Sequence, residues 1–169
     1  MGLFDRFRSS RRAADAAPLY DAVVALARAP HWYLEGGVAD TPDGRFDMIA
    51  AVLALVLIRL DRETDGAPLG VALTERFITD MDAQLRELGI GDVGLGKQVG
   101  QMVGMLGGRL GAYREALAGG DLGEVLKRNL YRSASPTPAA VAHVEQSLRT
   151  LADRLAALPM DALAAGKLP

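Results

Sequence analysis

The sequence predicts an all-α fold, a single-domain bundle of six or seven helices preceded by a short amphipathic segment. Ala, Leu and Gly dominate the composition, and aromatic residues make up only 5% of the chain. The abundance of Ala and Leu, both strong helix formers, favours helices. Apolar residues recur at steps of three and four, and no segment alternates as a strand would. With 169 residues, the chain fits one domain with one core. We divide it into a basic amphipathic segment (1–17), a helical core (18–132), and a linker with a C-terminal helix (133–169).

The predicted helices are bounded by proline and capping signals. The first two helices cover 18–29 and 45–63. The third contains an apolar stripe from 73 to 88, and the fourth is rich in glycine and ends near 118. The last two cover 121–132 and 138–158. Pro18 suits a first turn, and Ala29-Pro30 ends the first helix. The segment HWYLEGGVADTPDGRFD reads as a loop, with Thr41 or Asp43 as the cap of the second helix. That helix is apolar almost all round, so we expect it at the centre of the bundle.

The third helix combines an apolar stripe with charge pairs on the opposite face. Its stripe consists of Leu73, Phe77, Met81, Leu85 and Leu88. Arg76 with Asp80, and Asp82 with Arg86, are i,i+4 pairs on the other side. Gly89 is the expected C-cap. The segment GIGDVG then leads into the glycine-rich helix.

Capping residues also predict the last two helices. Asp121 and Glu124 resemble a capping box, and this helix ends in cations that suit the helix dipole, namely Lys127, Arg128 and Arg132. Thr137-Pro138 opens the final helix, whose apolar seam is Val141, Val144, Leu148, Leu151, Leu155 and Leu158. We expect this helix to pack antiparallel on the bundle, with a partner helix as the alternative.

The glycine-rich helix places glycine at every fourth position, in the order Gly96, Gly100, Gly104 and Gly108. Residues four apart share one helix face, where a second backbone can approach closely. Each glycine costs roughly 0.8 to 1 kcal/mol relative to Ala, so a contact must offset about 3 to 4 kcal/mol. The first interpretation is a close crossing inside the protein's own core. The second is a groove for a partner's apolar helix, with candidate contacts Gly96, Gly100, Met102, Gly104 and Met105.

The start of the chain is basic and amphipathic, although the whole chain has a net charge of -2. As a helix, this segment would present to an anionic bilayer the side chains of Leu3, Phe4, Phe7, Arg8, Arg11 and Arg12. A solvated terminus is the alternative, and the pattern fits neither a secretory signal nor a myristoylation site. The net charge gives no overall attraction to nucleic acid, so we expect no direct DNA binding.

Residues suited to catalysis are few. The chain has two histidines and no cysteine, and no catalytic or phosphate-binding motif. We therefore expect no enzyme activity, cofactor or metal. The densest polar group is His31, Asp40, Asp43, Arg45 and Asp47. These side chains could cap and pair structurally, with Arg45 binding a neighbouring carboxylate. The alternative is a small metal-dependent hydrolase that uses this acidic loop.

Five segments of the chain have a recognisable pattern: ARAPHWYLEGGVADTPDGRFDM, FITDMDAQLRELGIGDVGLGKQVGQM, GRLGAYREAL, LKRNLY and the final AAGKLP. In this order they resemble the ubiquinol-cytochrome c chaperone family, the assembly factors of the cytochrome bc1 complex. The residues that match the family motifs, in structural roles, are Asp40, Asp43, Gly44, Arg45, Phe46, Asp47, Asp80, Asp82, Arg86, Gly91 and Asp92.

The resemblance implies a non-enzymatic chaperone that holds newly made, haem-free cytochrome b until assembly. It also implies a possible small assembly partner and a possible contact with the ribosome or the membrane surface. Arginine outnumbers lysine sixteen to three, which favours a bacterial member. We therefore expect a cytoplasmic protein, peripheral on the inner face of the cytoplasmic membrane. A permanent structural subunit of the complex is the other reading of this resemblance.

Overall fold

The structure, a computed structural model, describes residues 15–87 and 92–169. It confirms the all-α class, because these residues form helices and contain no strand. The helices are α1 (Ala17–Ala27), α2 (Pro30–Leu34), α3 (Pro42–Leu60), α4 (Ala67–Glu87), α5 (Asp92–Leu117), α6 (Leu122–Leu126), α7 (Pro138–Ala157) and α8 (Met160–Ala164), and a π-helical turn (Lys127–Tyr131) follows α6 directly. The predicted membrane contacts Leu3, Phe4, Phe7, Arg8, Arg11 and Arg12 lie outside the described residues.

Helix α3 forms the centre of the bundle, as its apolar sequence predicts. Its residues from Asp47 to Leu60 are all buried. Helices α1, α4, α5 and α7 all pack against it. Thr41 caps the helix, because its hydroxyl accepts a hydrogen bond from the Gly44 amide at 3.2 Å. Of the two predicted caps, Thr41 is therefore correct and Asp43 is not.

The segment between α1 and α3 is only partly a loop, so that prediction is wrong at its start. Pro30 ends α1 but also occupies the first turn of α2, where its missing amide hydrogen is tolerated. Trp32 on α2 is 3% exposed, and its indole nitrogen donates to the Leu26 carbonyl at 2.7 Å. The short helix thus anchors the segment to the core.

Helix α4 buries the first three residues of its predicted stripe, Leu73, Phe77 and Met81. The side chain of Leu85, and the whole of Leu88 and Gly89, lie outside the described residues. The predicted pairing of Arg76 with Asp80 is wrong: Asp80 accepts hydrogen bonds from the Tyr20 hydroxyl on α1 at 2.6 Å and from Gln84 at 3.3 Å.

The end of the core departs from a simple helix. Asp121 caps α6 by accepting from the Glu124 amide at 2.9 Å, as predicted. Arg132 does not extend that helix, however, because its φ of 52° lies in the left-handed region, which non-glycine residues seldom adopt. Its guanidinium binds the carboxylate of Asp47 instead of serving the helix dipole.

Helix α7 packs on the bundle through its predicted seam, so the seam does not require a partner helix. Val141, Val144, Leu148, Leu151 and Leu155 are buried, and Leu158 packs partly buried against the core. Arg59 of α3 fixes the C-terminal end of α7, because its guanidinium donates hydrogen bonds of 2.9 Å to the carbonyls of Leu155 and Leu158.

Candidate functional site

Six glycines of α5 lie on its outer face. A Cβ built on Gly96, Gly100, Gly104, Gly107, Gly108 or Gly111 would meet no neighbouring atom within 4 Å in the part of the chain that is described. We call these six residues the glycine strip. The first interpretation, a close crossing inside the protein's own core, is therefore wrong.

The opposite face of α5 explains this placement. Leu106, Arg109, Tyr113 and Ala116 recur at steps of three and four, are buried, and point toward the bundle. With the core contacts made on that side, the glycine strip necessarily faces outward. The helical penalty of about 3 to 4 kcal/mol for its four regularly spaced glycines is not offset by packing among the described residues.

Apolar side chains flank the glycine strip on both sides. Val103 and Met105 are each 42% exposed, and about 100° separates each of them from Gly104 around the helix. Met105 is thus exposed beside the glycine strip. Met102 points the other way and packs partly buried against the core. Val103 was missed, because a single valine in a glycine-rich helix carries no distinctive signal.

A buried charge cluster holds α5 against α3. Asp47 is 2% exposed, and the Arg109 guanidinium lies 2.7 Å from its Oδ1. Arg132 contacts both carboxylate oxygens at 2.7 Å. Burial raises the pKa of Asp47, while hydrogen bonds and charge from both arginines act in the opposite direction. Because guanidinium groups cover both oxygens, Asp47 is suited to joining helices and poorly suited to proton transfer.

The polar group proposed as a metal-dependent site is not assembled. Asp40 pairs with Arg45 at 2.6 Å on the surface, and this hydrogen bond lowers the pKa of Asp40. Asp43 has a largely exposed side chain, 3.9 Å from Arg132, and His31 contacts His143. Across residues 15–87 and 92–169, no three acidic or histidine side chains converge on one possible metal position. Of the structural account of this segment, the pairing of Arg45 with a neighbouring carboxylate is confirmed, whereas the cap at Asp43 is wrong.

The remaining motif residues have local packing roles. Gly44 is buried where a Cβ would overlap the Ala39 carbonyl oxygen, so a larger residue does not fit. The Phe46 ring lies 5.7 Å from that of Phe77, with the Arg109 guanidinium 5.3 Å above it. Arg86 pairs with Asp82 at 3.0 Å, as predicted. Gly91 and the side chain of Asp92 lie outside the described residues.

Comparison with known proteins identifies relatives of the whole fold. Residues 34–168 match the family model described as ubiquinol-cytochrome C chaperone. The crystal structure of the Cbp3 homolog from Brucella abortus is similar, with 32% sequence identity and a TM-score of 0.83. The similarity covers 99% of this chain and 95% of that chain. A search of curated proteins gave no match.

Proposed function

Because this chain belongs to the ubiquinol-cytochrome C chaperone family, we propose that it binds newly made cytochrome b during assembly of the cytochrome bc1 complex. The glycine strip receives an apolar helix of this client and shields it from water until the next assembly step. The protein acts by contact alone, without a catalytic centre.

The outward-facing glycine strip is the observation that supports this proposal. Close helix crossings in membrane proteins use small residues four apart, because the two backbones can then approach and pack along their length. On α5 these residues face open space in the described structure. A transmembrane helix of the client would supply the packing that the protein's own fold does not.

The flanking residues suit a client of varied shape. Val103 and Met105 offer apolar contacts on either side of the glycine strip. Methionine adapts to irregular surfaces because its side chain is unbranched and polarizable. We therefore expect the site to accept apolar helices by shape and to make few polar contacts.

Membrane proximity belongs to the same proposal. In residues 15–87 and 92–169, none of the helices combines the length and apolar character needed to cross a bilayer. We propose that the basic start of the chain, through Leu3, Phe4, Phe7 and its arginines, gives a weak and reversible contact with the inner face of the cytoplasmic membrane. Deleting residues 2–12 should reduce association with anionic liposomes, and unchanged association would exclude this contact.

The client site is tested by filling the glycine strip. The double variant Gly100→Leu/Gly104→Leu should fold normally, since space is open at both positions, but should capture several-fold less newly made cytochrome b in pull-downs from translating cells. Ala142→Leu is the control for an added leucine on an exposed helix face away from the glycine strip, because Ala142 is exposed on α7. Equal capture by both variants and the unmodified protein would exclude the glycine strip. Co-purification with the mature complex at fixed stoichiometry would instead indicate a permanent subunit.

A further inference from the structure

The chain's two histidines meet between α2 and α7. His31 Nδ1 and His143 Nε2 lie 3.0 Å apart, although 112 positions separate them in the sequence. The imidazole rings are edge to face, at 71°. The surrounding packing is tight, because a Cβ on Gly36, just after α2, would come within 2.6 Å of the Val144 side chain. Neither histidine belongs to the glycine strip or to the buried charge cluster.

A hydrogen bond between two imidazoles depends on their protonation. One nitrogen must carry a hydrogen and the other must offer a lone pair. This condition is met when both rings are neutral in matching tautomers, and also when one ring is protonated. When both rings are protonated, each nitrogen carries a hydrogen, so the bond is lost and two positive charges face each other.

Two charged side chains of the described residues, Glu35 and Arg154, lie close to His31. Glu35, at the end of α2, favours the protonated form of His31, whereas burial and His143 favour the neutral form of His31. The net result is a pKa of His31 below its ordinary value, with burial as the largest cause. Arg154 of α7 lines the pocket beside His31, together with Leu26, Trp32 and Pro169.

We infer that the contact between His31 and His143 is a pH-sensitive clasp that holds α2 on α7 and opens when both imidazoles are protonated. A His31 pKa below the ordinary value of about 6.5 means that the unfolded chain binds this proton more readily. The lowered pKa of His31 therefore contributes stability that is fully present above about pH 6.5 and is lost as pH falls from there through the pKa of folded His31.

The two histidines can be followed directly by NMR titration of the full-length protein between pH 4.5 and 8. We expect His31 to titrate below its ordinary pKa. In His143→Gln the His31 midpoint should move upward, because one cause of its lowering is removed. If His143→Gln leaves the His31 midpoint unchanged, the inference is wrong.

Trp32 provides a second signal. It is the only tryptophan, and its ring centroid lies 4.1 Å from that of His31. Since a protonated imidazole at this distance quenches indole emission, fluorescence should fall with the His31 step and should not do so in His31→Gln. The urea midpoint should also drop between pH 7.5 and 5.5 in the unmodified protein, and by less in His31→Gln. If the urea midpoint fell equally with pH in the unmodified protein and in His31→Gln, the clasp would be contradicted. This comparison holds even if His31→Gln alters folding elsewhere, because each protein is compared with itself at two pH values.

Discussion

Helices α3 and α5 pack against each other, yet their surfaces differ in what they contact. Every residue of α3 from Asp47 to Leu60 is buried by the protein itself. Helix α5 buries one face and leaves the glycine strip and Met105 exposed on the other. The difference indicates that the sequence of α3 serves the stability of this fold. The outer face of α5 has no packing partner among the described residues, and it is the face to which we assign client binding in our proposal.

The largest expected effect concerns the charge that joins these two helices. Asp47→Ala should destabilise the protein by about 3 to 5 kcal/mol, because Arg109 stays buried without its carboxylate partner. Urea denaturation followed by circular dichroism measures this loss. Asp43→Ala is the control: its carboxylate is largely exposed in the first turn of α3, so we expect a loss of only about 0.3 to 1 kcal/mol, from the helix dipole. Equal losses in the two variants would mean that the interface between α3 and α5 does not depend on the buried cluster.

The next effect has the opposite sign and separates stability from binding. Gly100→Ala/Gly104→Ala should stabilise the fold by about 2 kcal/mol, because alanine favours the helix and both positions have open space. The added methyl groups should nevertheless weaken client capture, since they hold a partner backbone further away. Urea denaturation and the cytochrome b pull-down measure the two changes on the same protein samples.

Gly36→Ala is the contrasting glycine substitution, because a Cβ there meets the Trp32 carbonyl oxygen at 2.5 Å. We expect it to lower stability, and therefore to show that only outward-facing glycines gain from the change. If Gly100→Ala/Gly104→Ala were less stable than the unmodified protein, α5 would be making close contacts through its glycines, and the contrast with α3 would disappear.

Much of α3 and α7 could be predicted because their signals are local. A continuous apolar run indicates burial on all sides, and a seam at steps of three and four indicates one buried face. The hydroxyls of Thr41 and Thr137 cap these helices by accepting hydrogen bonds from amides three residues later, although the sequence alone left Thr41 and Asp43 as alternatives for α3.

The direction of the glycine strip was not predicted, because glycine has no side chain whose polarity shows which way it faces. The signal that could have predicted this direction is on the opposite face of α5. There the regular spacing of Leu106, Tyr113 and Ala116 marks the side that faces the core. The partners of Asp47 were missed for another reason. Arg132 is 85 positions away, and helical periodicity gives no information about pairs so far apart.

The smallest expected effect tests whether lost stability alone can reduce binding. Thr41→Ala removes the cap of α3 and should cost about 1 kcal/mol, while Thr41→Asn should restore most of it. Neither change touches the glycine strip, so capture of cytochrome b should stay constant below the unfolding transition. The variant Gly100→Ala/Gly104→Ala should be more stable but should bind less client. Constant capture by Thr41→Ala, combined with that result, would assign stability to α3 and binding to the outer face of α5. A fall in capture in step with the loss of stability in Thr41→Ala would instead show that the two helices act as one unit.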